Sequence, residues 1–174
     1  AGIAQLRTVN EQIKRDGGRV NASCGIHVHV GVRGMKVSRL RRIAISFLNN
    51  ERNFDRIMPN LRLNNRYCQS NIDRVQVHGN TSLLRGAQTV QTLARVMNGG
   101  FENHHYTSHR YYKLNFQSFL RHGTIEFRQH SGSVESEKVA QWVRLVTGFC
   151  ASAASHPEQD LSNRVEFEQF LQSS

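Results

Sequence analysis

The stretch Cys24-Gly25-Ile26-His27-Val28-His29-Val30-Gly31-Val32 alternates apolar β-branched residues with histidine and glycine, the period of a half-buried strand. Ile26 and the valines go to one face. His27 and His29 go to the other, about 7 Å apart along the strand. Thr124-Ile125-Glu126-Phe127-Arg128-Gln129-His130 repeats the alternation, with Ile125 and Phe127 opposing Glu126, Arg128 and His130. An ionisable row backed by an apolar face is costly unless it meets a ligand or pairs within itself. Arg110-Tyr111-Tyr112-Lys113-Leu114-Asn115-Phe116 supplies a third strand, expected over Tyr111 to Phe116, and Arg121-His122-Gly123 has the character of a hairpin turn before the next. Side by side, the three would gather His27, His29, Glu126, Arg128, His130 and Arg110 on one surface. That set suits a metal and a polyphosphate together. The plainer alternatives are histidines hydrogen-bonded on a polar sheet face and a structural Glu126 to Arg128 ion pair.

Outward from these strands the periodicity becomes helical. Ile3, Leu6 and Ile13 predict a helix over Gly2 to Arg15, stopped by Asp16-Gly17-Gly18. Leu40, Ile43, Ala44, Phe47 and Leu48 mark the inner stripe of a helix from Val37 to about Asn50 that packs on the sheet. Residues 51–80, polar and broken by Pro59, read as a short helix and then a loop. Thr81 or Ser82 is the expected cap of one helix with Leu84, Val90, Leu93, Ala94 and Met97 inward, ended by Gly99 and Gly100. Ser133 or Ser136 opens a long helix through Trp142, Val143, Val146 and Phe149, and a last amphipathic helix is expected from about Leu161 to Leu171. The pattern is α+β. At 174 residues, 38% hydrophobic and with 2 prolines, the chain is expected to form a single domain over 1–174, without disorder.

Lys and Arg number 23 against 13 Asp and Glu, a net charge of +10, and all but Lys14, Lys36, Lys113 and Lys138 are arginine. Against the sole late cation Arg164 stand Glu158, Asp160, Glu166 and Glu168, so the basic excess lies in residues 1–144. Arginine's planar fork fits nucleotides, acidic substrates and nucleic-acid backbones alike. No run reaches the roughly 18 apolar residues of a membrane span, and no signal peptide is evident, so no membrane partner is expected. Cys24, Cys68 and Cys150 are odd in number and widely spaced, which points to a reducing compartment rather than a disulfide framework. The expected location is cytoplasmic.

Cys-Gly-Ile-His-Val-His-Val-Gly (24–31), Arg-Tyr-Tyr-Lys-Leu-Asn-Phe (110–116) and Thr-Ile-Glu-Phe-Arg-Gln-His-Ser-Gly (124–132), followed by a Trp-containing helix, resemble the amidoligase family. That family is related to the catalytic domains of glutamine synthetase and glutamate-cysteine ligase. The resemblance implies a curved antiparallel sheet of the glutamine synthetase type with helices packed on one face. It implies an ATP-dependent carboxylate-amine ligase forming an amide or isopeptide bond through an acyl phosphate, with Mg²⁺ or Mn²⁺ as cofactor. The substrates would be a carboxylate and an amine, on small molecules, peptides or proteins. A carboxylate is a poor electrophile at neutral pH, and metal and arginine must neutralise the two anions that meet when it is phosphorylated. Matched to the family pattern, His27 and Glu126 are metal ligands, His29 lies near nucleotide or metal, and Arg128 and Arg110 bind the phosphoryl group or the carboxylate. Asn115 and His130 are substrate contacts or support them, and, apart from the resemblance, the Asn-Asn-Arg-Tyr-Cys segment (64–68) offers a substrate-facing Arg66. Relatives carry an acidic Glu-x-Glu strand ahead of the His-x-His strand. Residues 1–24 hold only Glu11 and Asp16, so the chain reads as the C-terminal part of a longer family domain, or one whose site a second chain or oligomer completes.

Three other readings compete. A catalytically inactive amidoligase-like domain, such as a processed component of a virion or nucleoprotein particle, would turn Arg39-Leu40-Arg41-Arg42 and the basic surface toward nucleic acid. A zinc hydrolase would add His104, His105 or His109 to the His-x-His pair. Cys24, abutting the same strand, is the weakest candidate, as a nucleophile.

Overall fold

The computed structural model describes residues 2–63, 65–77, 80–101 and 108–155. In chain order these are α1 (Gly2–Arg15), β1 (Gly25–Gly31), α2 (Val37–Arg56), α3 (Asn60–Leu63), α4 (Asn71–Val77), α5 (Thr81–Gly86), α6 (Val90–Asn98), a 3-10 turn (Ser108–Arg110), β2 (Leu114–Asn115), α7 (Ser118–His122), β3 (Thr124–Ser131) and α8 (Ser136–Ser155). The fold is α+β. Its sheet is antiparallel in the order β1-β3-β2, so the central strand is the one that carries Glu126 and Arg128.

The core lies where the apolar stripes predicted it. Leu40, Ile43, Ala44, Phe47 and Phe54 of α2 and Trp142, Val146 and Phe149 of α8 bury against Val28, Leu114, Ile125 and Phe127 of the sheet. Phe54 and Phe149 meet edge to face at 5.1 Å, and Phe54 meets Trp142 likewise at 6.0 Å, a geometry aromatic rings prefer. Helix α1 buries no residue fully. Arg7 to Glu137 and Lys14 to Glu135, each 2.7 Å, tie it to the start of α8.

Several boundaries differ from expectation. The third strand shrinks to Leu114–Asn115, because Tyr112 turns to a parallel bridge with Gln69. Beyond β2 the edge is closed by side chains rather than by another strand. Asn71 accepts from the Leu114 amide (2.8 Å) and donates to its carbonyl (3.0 Å), while Asn98 donates to that carbonyl (2.9 Å) and accepts from the Phe116 amide (2.8 Å). Buried backbone groups need partners, and these two asparagines supply them. The hairpin-like turn is instead helix α7, ended by Gly123 at φ +66 with its amide on the Phe119 carbonyl. The single helix expected over 81–98 is two, the second capped by Thr89, whose hydroxyl accepts from the Thr92 amide. Residues 51–80 extend α2 by a turn and form α3 and α4. The helix expected at Leu161 to Leu171 lies outside the described residues.

Candidate functional site

The register of β1 on β3 decides which predicted residues meet. His29 stands opposite Glu126 and Val28 opposite Phe127, whereas Ile26 stands opposite His130. Between these pairs β1 spends one residue and β3 two, a β-bulge at Arg128 and Gln129. Arg62, buried on α3, stabilises it by donating to the Arg128 carbonyl (2.6 Å) and the Gln129 carbonyl (3.1 Å). The bulge also changes which face the following residues take. Gln129 reaches Asp55 of α2 at 3.2 Å, and the His130 ring lies 5.3 Å from that of Trp142 on α8. His130 is therefore not part of the Glu126 surface, contrary to the simple alternation.

Glu126 is the centre of what remains. It is 5% exposed. Its Oε1 receives Nη1 of Arg128 at 2.6 Å and Nδ1 of His27 at 2.9 Å, with Nε2 of His29 at 3.7 Å, and its Oε2 receives the Asn115 amide at 2.7 Å. Burial alone would raise its pKa, but the His27 hydrogen bond, the Arg128 charge and the Asn115 hydrogen bond outweigh burial and hold it down to about 2. The group is a permanent anion. Because His27 Nδ1 spends its proton on Glu126, Arg128 Nη1, 3.3 Å from the same nitrogen, makes only a contact there. His29 Nδ1 lies 2.9 Å from the Thr124 hydroxyl. Burial lowers the His29 pKa, Glu126 opposes, and His122, His27 and Arg128 add to the lowering, so the ring is neutral at pH 7.

A wall of arginine and tyrosine flanks this carboxylate. Tyr67 and Tyr111 meet edge to face at 5.0 Å. Arg66 lies over Tyr67 at 4.7 Å, while Arg110 and Arg128 lie over Tyr111 at 5.0 and 5.6 Å. Arg110 thus joins the site from the 3-10 turn, not from a strand. Sequence reasoning missed three contributors. Arg62 acts through a bulge that periodicity does not signal. Tyr67 belongs to a loop whose Gln69 bridges Tyr112. His122 ends α7, its ring 5.7 Å from that of His29.

Two further histidines among the described residues, His109 and His130, lie apart from this cluster. His109 Nδ1 lies 3.2 Å from the Asn98 carbonyl, and His104 and His105 lie outside the described residues. Among the described residues no group of three or more His, Cys, Asp or Glu side chains is disposed to hold a metal. The Cys24 thiol sits 3.5 Å from the Asn21 side-chain oxygen in the turn before β1. Burial pushes the Cys68 thiol up to about 11.

The chain matches, over residues 1–150, the family model described as "Putative amidoligase enzyme". It belongs to that family. No curated protein and no solved structure matches it. In this amidoligase-family chain segments 24–31, 110–116 and 124–132 come together around one ionised glutamate, and the four side chains that touch Glu126 come from all three strands.

Proposed function

We propose that the chain is an ATP-dependent carboxylate-amine ligase whose reaction surface is the Glu126 cluster and the Arg66 to Arg110 wall beside it. The observation that carries this is an anion held ionised by His27, Arg128 and Asn115 while Arg110 and Arg66 stand nearby on tyrosine faces. The donor set fits a divalent cation. His27 Nδ1 and Glu126 Oε1 stand 2.9 Å apart, close to the separation of adjacent octahedral ligands each about 2.1 Å from the metal. His27 and Glu126 would hold Mg²⁺ or Mn²⁺ with water and phosphate oxygens, His27 through the lone pair of a ring nitrogen. Such an ion, when bound, offsets the charge of the nucleotide phosphates.

The chain's own residues do the rest. Arg110 and Arg66 orient the incoming carboxylate. Its oxygen attacks the γ-phosphorus of ATP, ADP leaves, and the acyl phosphate is then attacked by the amine, expelling phosphate and forming the amide. Arg128 is anchored by Glu126 and by the Tyr67 carbonyl (3.3 Å), so it meets the transferring phosphoryl group without reorganising. Neutral His29 can accept the proton the amine loses. Substrates on peptides or proteins give an isopeptide product by the same step. A second chain contributing acidic ligands would complete the cation's shell, and a cytoplasmic location follows from this reading.

One observation favours the alternative, a catalytically inactive amidoligase-like domain associated with nucleic acid, as in a virion. Glu126 is already paired with Arg128 at 2.6 Å, which leaves the site closed on itself. Calorimetric titration with a non-hydrolysable ATP analogue, with and without Mg²⁺, separates the two. The ligase reading expects Mg²⁺-dependent binding, lost in His27→Ala and Glu126→Gln variants that circular dichroism shows to be folded. No binding in the folded wild type overturns it. Salt-dependent binding of single-stranded nucleic acid would then favour the alternative.

A further inference from the structure

Behind the sheet, on the side opposite the Glu126 cluster, the C-terminal end of α2 and the first half of α8 enclose an open pocket of about 500 Å³. Its floor is apolar and aromatic: Met58, Leu145 and the indole of Trp142, against which the His130 ring lies tilted at 38°. Its rim is cationic, with Lys138 and Arg144, and no acidic residue is found among the described residues that line it. Trp142 is 3% exposed, and its indole N–H finds no hydrogen-bond partner among the described residues. A buried donor left unsatisfied is unusual and costly.

We propose that this pocket binds a small organic anion, a carboxylate or sulfonate on an aromatic or aliphatic body. The apolar part would lie on Met58, Leu145 and Trp142, and the anionic group would meet Lys138 and Arg144. Shape and charge agree: pockets for such ligands are mostly apolar with a few convergent polar groups. This site is independent of the ligase reading. It lies across the sheet from that surface and uses none of its residues, with His130 belonging to the pocket alone.

Trp142 is the chain's one tryptophan, so its emission reports on this pocket alone. The probe is 1-anilinonaphthalene-8-sulfonate, an apolar anion that takes energy from a nearby indole, compared with uncharged N-phenyl-1-naphthylamine. The expected result is 1:1 binding of the sulfonate with quenching of Trp142. A Lys138→Gln/Arg144→Gln variant should weaken it by about tenfold or more, while the uncharged dye is unaffected. Both substitutions are at exposed positions, so the fold is retained. Sulfonate binding without Trp142 quenching, equal binding by variant and wild type, or equal weakening of both dyes would each overturn the proposal. A dimer in sedimentation that the dye dissociates would place a second copy of the chain there, and would overturn it as well.

Discussion

Glu126 pairs through the strand ladder with His29 but makes its short hydrogen bond, 2.9 Å, diagonally with His27. The diagonal is the geometry that lets one carboxylate hold an imidazole, a guanidinium and an amide at once. Its folded pKa of about 2 lies below the ordinary 4.5, so its stabilisation is fully present above pH 4.5 and is lost as pH falls through about 2. Glu126→Gln should cost about 2–4 kcal/mol at pH 7, since it leaves Arg128 buried without its anion. The gap to wild type in urea denaturation should shrink steadily from pH 5 to pH 2. A gap that does not change with pH would mean that packing, not charge, holds the cluster.

His130 and His27 look equivalent in the sequence and should behave oppositely. Because the bulge sends His130 to Trp142, His130→Ala should leave nucleotide binding within about twofold while costing roughly 1–2 kcal/mol of lost ring packing. His27→Ala should do the reverse in a titration. Burial lowers the His130 pKa, opposed by its bond to the Ser131 carbonyl and aided by Lys138 and Arg62. The unfolded chain therefore takes up the proton first, and stability falls as pH drops below about 6.5. Replacing His130 with Gln should flatten denaturation midpoints between pH 7 and pH 5.

This pair also shows what the sequence could and could not reveal. Strict alternation places β1 and β3, and the 3.6-residue stripes place α1, α2 and α8, because each element carries apolar residues at its own period. His27, His29, Glu126 and Arg128 follow from strand alternation alone, whereas Asn115 comes from the family resemblance. The bulge does not, since inserting one residue leaves composition unchanged and its support, Arg62, lies some 66 positions away. Tyr111 and Tyr112 have strand propensity but were claimed by contacts from the 65–70 loop, which no local pattern announces. The break between α5 and α6 rests on Thr89 as a cap. Its side chain competes with the helix it interrupts.

Lys113 is 3% exposed, with Glu51 at 2.9 Å and Asp55 at 2.7 Å. Burial alone would lower its pKa, but the two carboxylates outweigh burial and raise it, so the charge is locked in place on the helix side of the sheet. Glu51 is needed elsewhere too, accepting the Asn71 and Ile72 amides that open α4. Lys113→Met should therefore cost about 3–5 kcal/mol, because buried Glu51 and half-buried Asp55 lose their cation. Lys113→Met combined with Glu51→Gln and Asp55→Asn should recover part of that loss, as chemical denaturation would show.

The edge of β2 offers the last test. Asn71 and Asn98 together occupy the Leu114 amide and carbonyl and the Phe116 amide, so the strand beside β3 is sealed by two side chains drawn from helices α4 and α6. Removing one leaves buried backbone groups unpaired, each costing about 1–3 kcal/mol. Asn98→Ala should lower stability by that amount. Amide hydrogen exchange should quicken at Phe116, whose N–H lies on the Asn98 side-chain oxygen at 2.8 Å, and far less at Leu114, whose N–H is held by Asn71. Asn71→Ala should exchange Leu114 faster and spare Phe116. Equal acceleration at both amides in either variant would mean that β2 opens as a unit, rather than being held residue by residue by its two asparagines.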